Sequence, residues 1–184
     1  MTPLLIERPK LNDRELIKNL IKVVLVDTWT KNGLGHLTEE IEEEIQMKWS
    51  FLEQDFDSKG IDRTFLIAKM DGQVVGTIEH GKANDTIAAC GDAYLSSLRE
   101  VGTVFIHPDF QGRGIGKALL EAMVRMLRDK GEVKYCLDSG YKTAQKVWNH
   151  LLGTPKYILK DYWGPELDHF VWEVEIKKDR EKEE

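Results

Sequence analysis

Cysteine is scarce in this sequence: Cys90 and Cys136 are the two present. That excludes a disulfide framework, and no Cys-x-x-Cys or Cys/His pair has the spacing of a zinc site. Cys136 sits in an apolar run and reads as a core residue rather than a nucleophile. The five histidines, His36, His80, His107, His150 and His169, form no triad or metal pattern, so no metal is expected. No apolar run approaches the ~18 residues that cross a bilayer. The first residues also lack a basic start followed by an apolar stretch. A soluble, cytoplasmic protein with no membrane partner is the expectation. Neither sign of charge dominates: 32 acidic residues face 26 basic ones, for a formal charge of -6. That balance lowers the expectation of a nucleic-acid partner. Internal repeats and interdomain linkers are absent.

What is present suits one ordinary domain. The chain has 184 residues, 41% of them hydrophobic and 32% charged, and a domain of this size buries roughly 70% of its unfolded surface. A single domain is expected over residues 1–176, with a charged, frayed tail at 177–184. Residues 4–8 read as a short edge strand. Asn12, with Glu15 three residues on, reads as a helix cap, and Leu16, Leu20, Val23 and Val24 then form a stripe. Thr38 starts a second helix with Ile41, Ile45, Trp49, Leu52 and Phe56 at helical spacing. Its acidic run, Glu39 to Glu44, reads mostly as a solvated outer face. The period then shortens. Residues 64–70 and 74–80 form a hairpin around Asp71-Gly72, and residues 81–92 a polar loop. Residues 94–106 read as a long strand bent at Gly102. A helix over 112–130, a strand over 133–137, a helix over 143–152 and a strand over 170–176 follow. The order predicts mixed α/β architecture: one central, mostly antiparallel, twisted sheet of about 6–7 strands flanked by about four helices.

The most informative segment runs from Val104 to Ala118 (VFIHPDFQGRGIGKA). An apolar strand enters a glycine-rich loop, and the loop opens a helix. Glycines let backbone N–H groups approach a ligand closely, and the first helical turn presents unpaired, partly positive donors. Together they make an anion site, with Arg113 and Lys117 adding positive charge. A Walker A loop fits poorly, because three rather than four residues separate Gly112 from Gly116 and Ala118 replaces the magnesium-binding hydroxyl. A dinucleotide fingerprint fits poorly as well, because the spacing is G-x-G-x-G and antiparallel strands precede it. A purely structural turn, with glycine allowing close strand–helix packing, stays open on these residues alone.

Gln111-Gly112-Arg113-Gly114-Ile115-Gly116 resembles the coenzyme-A motif of the GNAT (Gcn5-related N-acetyltransferase) family, Gln/Arg-x-x-Gly-x-Gly/Ala. In element order the resemblance covers roughly residues 62–176, and its specific part is 100–118. It implies a splayed sheet with acyl-CoA entering between the fourth and fifth strands. By the same resemblance, backbone groups of Val104, Phe105 and Ile106 would pair with the pantetheine arm. Those of Gly112, Arg113, Gly114, Ile115, Gly116 and Lys117 would hold the pyrophosphate. The implied activity is transfer of an acetyl group from acetyl-CoA to a primary amine, on a small molecule or a peptide, by direct attack in a ternary complex. Dimers are common in the family, so a homodimer stays open.

An amine with pKa near 10.4 arrives protonated and must lose its proton to attack. Glu100, eleven residues before Gln111, stands where family members with a fourth-strand glutamate base place it. A carboxylate in a central strand is costly unless solvated or paired. The plainer reading of Glu100 is a pair with Arg99 or a cross-strand lysine, or an exposed face. Glu79 on the neighbouring strand is the second candidate base. Many family members carry Asn-x-x-Ala-x-x-Leu-Tyr on the following helix. Here Tyr141 stands at the Asn position and Trp148 at the Tyr position. An indole is no acid, so Tyr141, Tyr157, Tyr162 or water would protonate the leaving thiolate, and Trp148 reads as core. These departures keep a second reading in view, a non-catalytic CoA-binding sensor.

Overall fold

The computed structural model describes residues 3–177. Of the charged tail expected at 177–184, all but Lys177 lies outside the described residues. The chain builds a seven-stranded sheet: β1 (Leu5–Glu7), β2 (Thr64–Met70), β3 (Gln73–Lys82), β4 (Arg99–Ile106), β5 (Lys134–Ser139), β6 (Tyr157–Leu159) and β7 (His169–Glu175), ordered β1-β2-β3-β4-β5-β7-β6. All pairings are antiparallel except that of β4 with β5. The β2–β3 turn has positive φ at both Asp71 and Gly72, as a type I′ turn requires.

Two helices, α1 (Arg14–Lys31) and α2 (Thr38–Ser58), cover one face. Ile17, Ile21, Leu25, Ile45 and Leu52 pack there on Phe65 and Ile67. Between β3 and β4 lie two short helices, α3 (Asp85–Ala88) and α4 (Ala93–Ser97). The opposite face carries α5 (Ile115–Asp129) and α6 (Lys142–Leu152), whose Leu119, Met123, Leu127 and Trp148 meet Val75, Ile78, Tyr135 and Trp172. Trp148 is a core residue, as expected.

Several local readings change. Asn12 is no cap: it lies in a 3-10 turn, Leu11–Asp13, where Asp13 accepts from Lys10 N–H (2.9 Å) and pairs with Lys69 (2.8 Å). Leu16 is exposed, whereas Leu20 and Val24 are buried as expected and share the buried stripe with Ile17, Ile21 and Leu25. The expected strand from Tyr94 starts only at Arg99. Asn84 and Asp92 each accept the N–H three residues on (both 2.9 Å), and these caps turn the intervening chain into α3 and α4. The bend in β4 is centred on Thr103 (φ 49°), opposite an irregularity between Thr77 and Glu79. The long helix starts at Ile115, after Gly112 and Gly114 have turned the chain at φ 73° and 78°. Strand β6 had no sequence signature at three residues.

Candidate active site at the split between strands four and five

Strands β4 and β5 pair only at Arg99 with Tyr135 and at Glu100 with Cys136. Beyond Glu100 they part. His107 N–H donates to Val75 C=O on the β3 side (2.9 Å). By strand alternation the main-chain groups of Val104 and Ile106 turn the other way, into the gap. Gln111 Nε2–H donates to Ile106 C=O (3.2 Å), which ties the turn to the strand end. Val104, Phe105 and Ile106 are half-buried.

The glycine turn sits at the open end of this gap. A Cβ built at Gly112 or Gly114 would have no heavy atom within 4 Å, so the space beside both is open. The first bond into α5 runs from Ala118 N–H to Gly114 C=O (3.0 Å), leaving the N–H groups of the preceding turn without a helical acceptor. Ile115 is buried and anchors the helix, and a Cβ on Gly116 would come into ordinary contact with Ile106. Arg113 donates to Asp109 C=O (2.9 Å) and lies over the Phe110 ring, and Lys117 is exposed. These two cations brace and border the turn rather than cover it.

Glu100 and Glu79 come together at the root of the gap. A Cβ on Gly102 would lie 3.0 Å from Glu79 Oε1 and 3.4 Å from Glu100 Oε1, so a side chain there would crowd both carboxylates. Both are buried. Glu79 is charge-matched: Arg63 Nη1 donates to it at 2.5 Å and Thr103 Oγ1 at 3.1 Å. Among the described residues Glu100 has neither the arginine nor the lysine partner of the plainer reading. Asn84 donates to it from the main-chain N–H (2.7 Å) and from Nδ2 (3.1 Å). Burial first, then the charges of Asp138 and Glu79, push the Glu100 carboxyl up to about 8, against weaker opposition from Lys48 and the Asn84 N–H.

Tyr141 is not part of that pair. It precedes α6, its hydroxyl donates to Glu44 of α2, and its ring meets Trp29 edge-on, with centroids 6.2 Å apart. Trp29 Nε1–H also donates to Glu44 (2.7 Å). Burial and the Glu44 charge raise the Tyr141 phenol far above its ordinary range. Glu44 is therefore the exception in an acidic run read as solvated. Cys136 is fully buried and burial pushes its thiol up, which suits a core residue and not a nucleophile.

Sequence reasoning missed Asn84, Asp138 and His169. Asn84 lay in a segment read as loop. Asp138 lay one residue past the strand expected at 133–137, and β5 carries it as far as Ser139.

The family model described as the acetyltransferase (GNAT) family matches residues 29–153. Solved structures agree in fold. A putative GNAT acetyltransferase from Desulfovibrio desulfuricans superposes with a TM-score of 0.73 at 15% identity, over 95% of this chain and 100% of that one. The PaiA N-acetyltransferase from Thermoplasma acidophilum, solved with coenzyme A, gives 0.68 at 18% identity, over 94% and 99%. YncA, a putative acetyltransferase from Salmonella typhimurium solved with acetyl-CoA, gives 0.68 at 16%, over 99% of both chains. With the family model spanning the second helix, the split strands and the glycine turn, the chain belongs to the GNAT acetyltransferase family.

Proposed function

We propose that the protein is an acetyl-CoA-dependent N-acetyltransferase that acts on a primary amine by direct transfer. The observation that carries the reading is the split of β4 from β5, with the open glycine turn at its mouth and, at its root, a buried glutamate held by neutral donors. The residues fit acetyl-CoA. The gap-facing main chain of Val104 and Ile106 suits an extended amide-bearing arm, and the first turn of α5 suits a pyrophosphate. Bound there, acetyl-CoA would supply the acetyl thioester.

The chain's own groups do the rest. Glu100 accepts the proton of the incoming ammonium, and a carboxyl titrating near 8 suits that exchange close to neutral pH. The Val104 N–H, free of a β5 partner, offers a donor to oxygen charge developing in the gap. Glu79 serves less well as base because Arg63 holds it. The Tyr141 hydroxyl is held by Glu44 and that of Tyr157 by Asp92, which in this reading leaves Tyr162 or water to protonate the thiolate. The acceptor is an amine on a small molecule or peptide. No helix among the described residues is long and apolar enough to cross a membrane.

Thermal unfolding with acetyl-CoA, beside matched ATP and NAD, tests the reading. Ligand at a hundred times its Kd adds ~2.7 kcal/mol, about a 5–10 °C rise. No rise, or an equal rise with ATP, overturns it. A non-catalytic CoA-binding protein is favoured by one observation, that the Tyr141 proton is committed to Glu44. That reading expects the same rise but no turnover across a panel of amines.

A further inference from the structure

Besides the main-chain bond its C=O accepts from Ala88 N–H, Asn84 makes four hydrogen bonds that join the start of α3 to β4 and β5. Its Oδ1 accepts from Ile87 N–H (2.9 Å), which starts α3. Its main-chain N–H reaches Glu100 Oε2 (2.7 Å), and its two Nδ2 hydrogens go to Glu100 Oε1 (3.1 Å) and Asp138 Oδ2 (2.9 Å). Both amide hydrogens are thereby spent on carboxylates. On the other side of Asp138 stands His169, Nε2 to Oδ2 at 2.8 Å. Trp163 Nε1 lies 2.9 Å from His169 Nδ1. An indole N–H can only donate, so Nδ1 accepts and the imidazole carries its hydrogen on Nε2, aimed at Asp138. Gly140 makes this possible: a Cβ there would meet Trp163 Nε1 at 2.9 Å and His169 Nδ1 at 3.1 Å.

We propose that Asn84 is a positioning residue for Glu100: it grips both carboxylate oxygens and fixes them against Asp138, which His169 and Trp163 hold in turn. The proposal rests on the reading of Glu100 as the base. A capping asparagine needs only its Oδ1, yet here the main-chain N–H and both amide hydrogens are spent on carboxylates, two of the three contacts falling on Glu100. With its two oxygens held from the β3–β4 loop, the Glu100 carboxylate cannot rotate toward Arg63, the cation that its neighbour Glu79 uses.

The charged and titratable groups facing Glu100 are Asp138 and Cys136 from β5, Glu79 from β3 and Lys48 from α2. Against the two carboxylates, the Asn84 donors stabilise the charged form. Removing the Nδ2 donor therefore raises the pH at which Glu100 loses its proton.

Two substitutions separate positioning from capping, since both keep an oxygen for the Ile87 N–H. Asn84→Ser removes the side-chain donor to both carboxylates while the main-chain N–H to Glu100 stays, and Asn84→Asp replaces that side-chain donor with a third carboxylate. The probe is the side-chain carboxyl 13C signal of Glu100 in glutamate-labelled protein, assigned by its loss in Glu100→Gln and titrated from pH 5 to 10. The expected result is an upward move of about one pH unit in Asn84→Ser and a larger one in Asn84→Asp, with the acetyl-CoA thermal response retained in both. Titration of Glu100 at the wild-type pH in both variants overturns the proposal. The signal is read without an acceptor, so it answers even if no amine is turned over. Loss of the acetyl-CoA response in the wild type is instead a failure of the acetyltransferase reading.

Discussion

Asp55, at the α2–β2 corner, and Glu100, at the root of the split between β4 and β5, are both buried carboxylates, 0% and 7% exposed. Their surroundings differ in kind. Asp55 takes both guanidinium nitrogens of Arg8 (2.8 and 2.5 Å) and the main-chain N–H of Phe65. Its charge is neutralised and its oxygens are satisfied, so it ties β1, α2 and β2 together. Glu100 receives only neutral donors and faces two further carboxylates. A fold that neutralises one buried acid at a corner and leaves another acid-crowded beside an opening makes the second the group that the proposed transfer would use to exchange a proton.

Exchanging the two carboxylates for neutral groups should break the comparison in opposite ways. Glu100→Gln should cost roughly 10²–10⁴ in turnover, the usual worth of a positioned base, while leaving the folded state intact at pH 8. Asp55→Ala should do the reverse. Breaking a buried pair costs about 3 kcal/mol, or roughly a 6–12 °C fall in the unfolding midpoint at this size, with turnover per folded molecule unchanged. If Glu100→Gln loses stability like Asp55→Ala and keeps its activity, Glu100 is a structural acid and the contrast disappears.

The pH dependence of stability sharpens the same contrast. The Glu100 carboxyl in the folded protein titrates near 8, above the ordinary glutamate value of 4.5. The folded state therefore holds a proton that the unfolded chain releases between those values. The stability that proton provides is complete below about pH 4.5 and is lost as pH rises through about 8. Buried His80 acts at the acid end, because burial and Lys130 lower it to about 3 from 6.5. Its contribution is complete above 6.5 and is lost as pH falls toward 3. Unfolding midpoints measured from pH 5 to 9 should decline at the alkaline end in the wild type and flatten there in Glu100→Gln. An unchanged alkaline slope in that variant would remove Glu100 as the cause.

The legible part of this molecule was local. The glycine turn announced itself because Gln111 to Gly116 needs only six consecutive residues, and Thr64 to Met70 because its period and the Asp71-Gly72 turn are local too. Glu100 entered as a candidate only through the GNAT resemblance, which places a base eleven residues before Gln111. The network around it was not. Asn84 reaches Asp138 across 54 positions and Asp138 reaches His169 across 31, contacts that exist only once β4, β5 and β7 are in register. Propensity misled at Tyr94, where an aromatic residue suggests a strand but the Asp92 cap makes a helix. Thr103 at φ 49° carries the bend that the neighbouring glycine suggested, because its hydroxyl bonds Glu79 while Thr77 takes its carbonyl.

The smallest expected effects distinguish backbone from side-chain charge at the anion site. Gly114 has φ 78° and open space beside it, so alanine there meets no clash but carries about 1–2 kcal/mol of left-handed strain and places a methyl group over the turn. Gly114→Ala should lower the unfolding midpoint slightly and shrink the acetyl-CoA response more. Lys117 is exposed, and its contact with Glu121 is a long 4.0 Å. Lys117→Ala should leave the midpoint unchanged. It should weaken the acetyl-CoA response only a little, and less still at high salt, where exposed charges are screened. Equal losses from the two substitutions would move the anion site from the main-chain N–H groups to the lysine ammonium. A loss from Gly114→Ala alone places it on the backbone, where the positive φ angles of Gly112 and Gly114 have already spent their freedom.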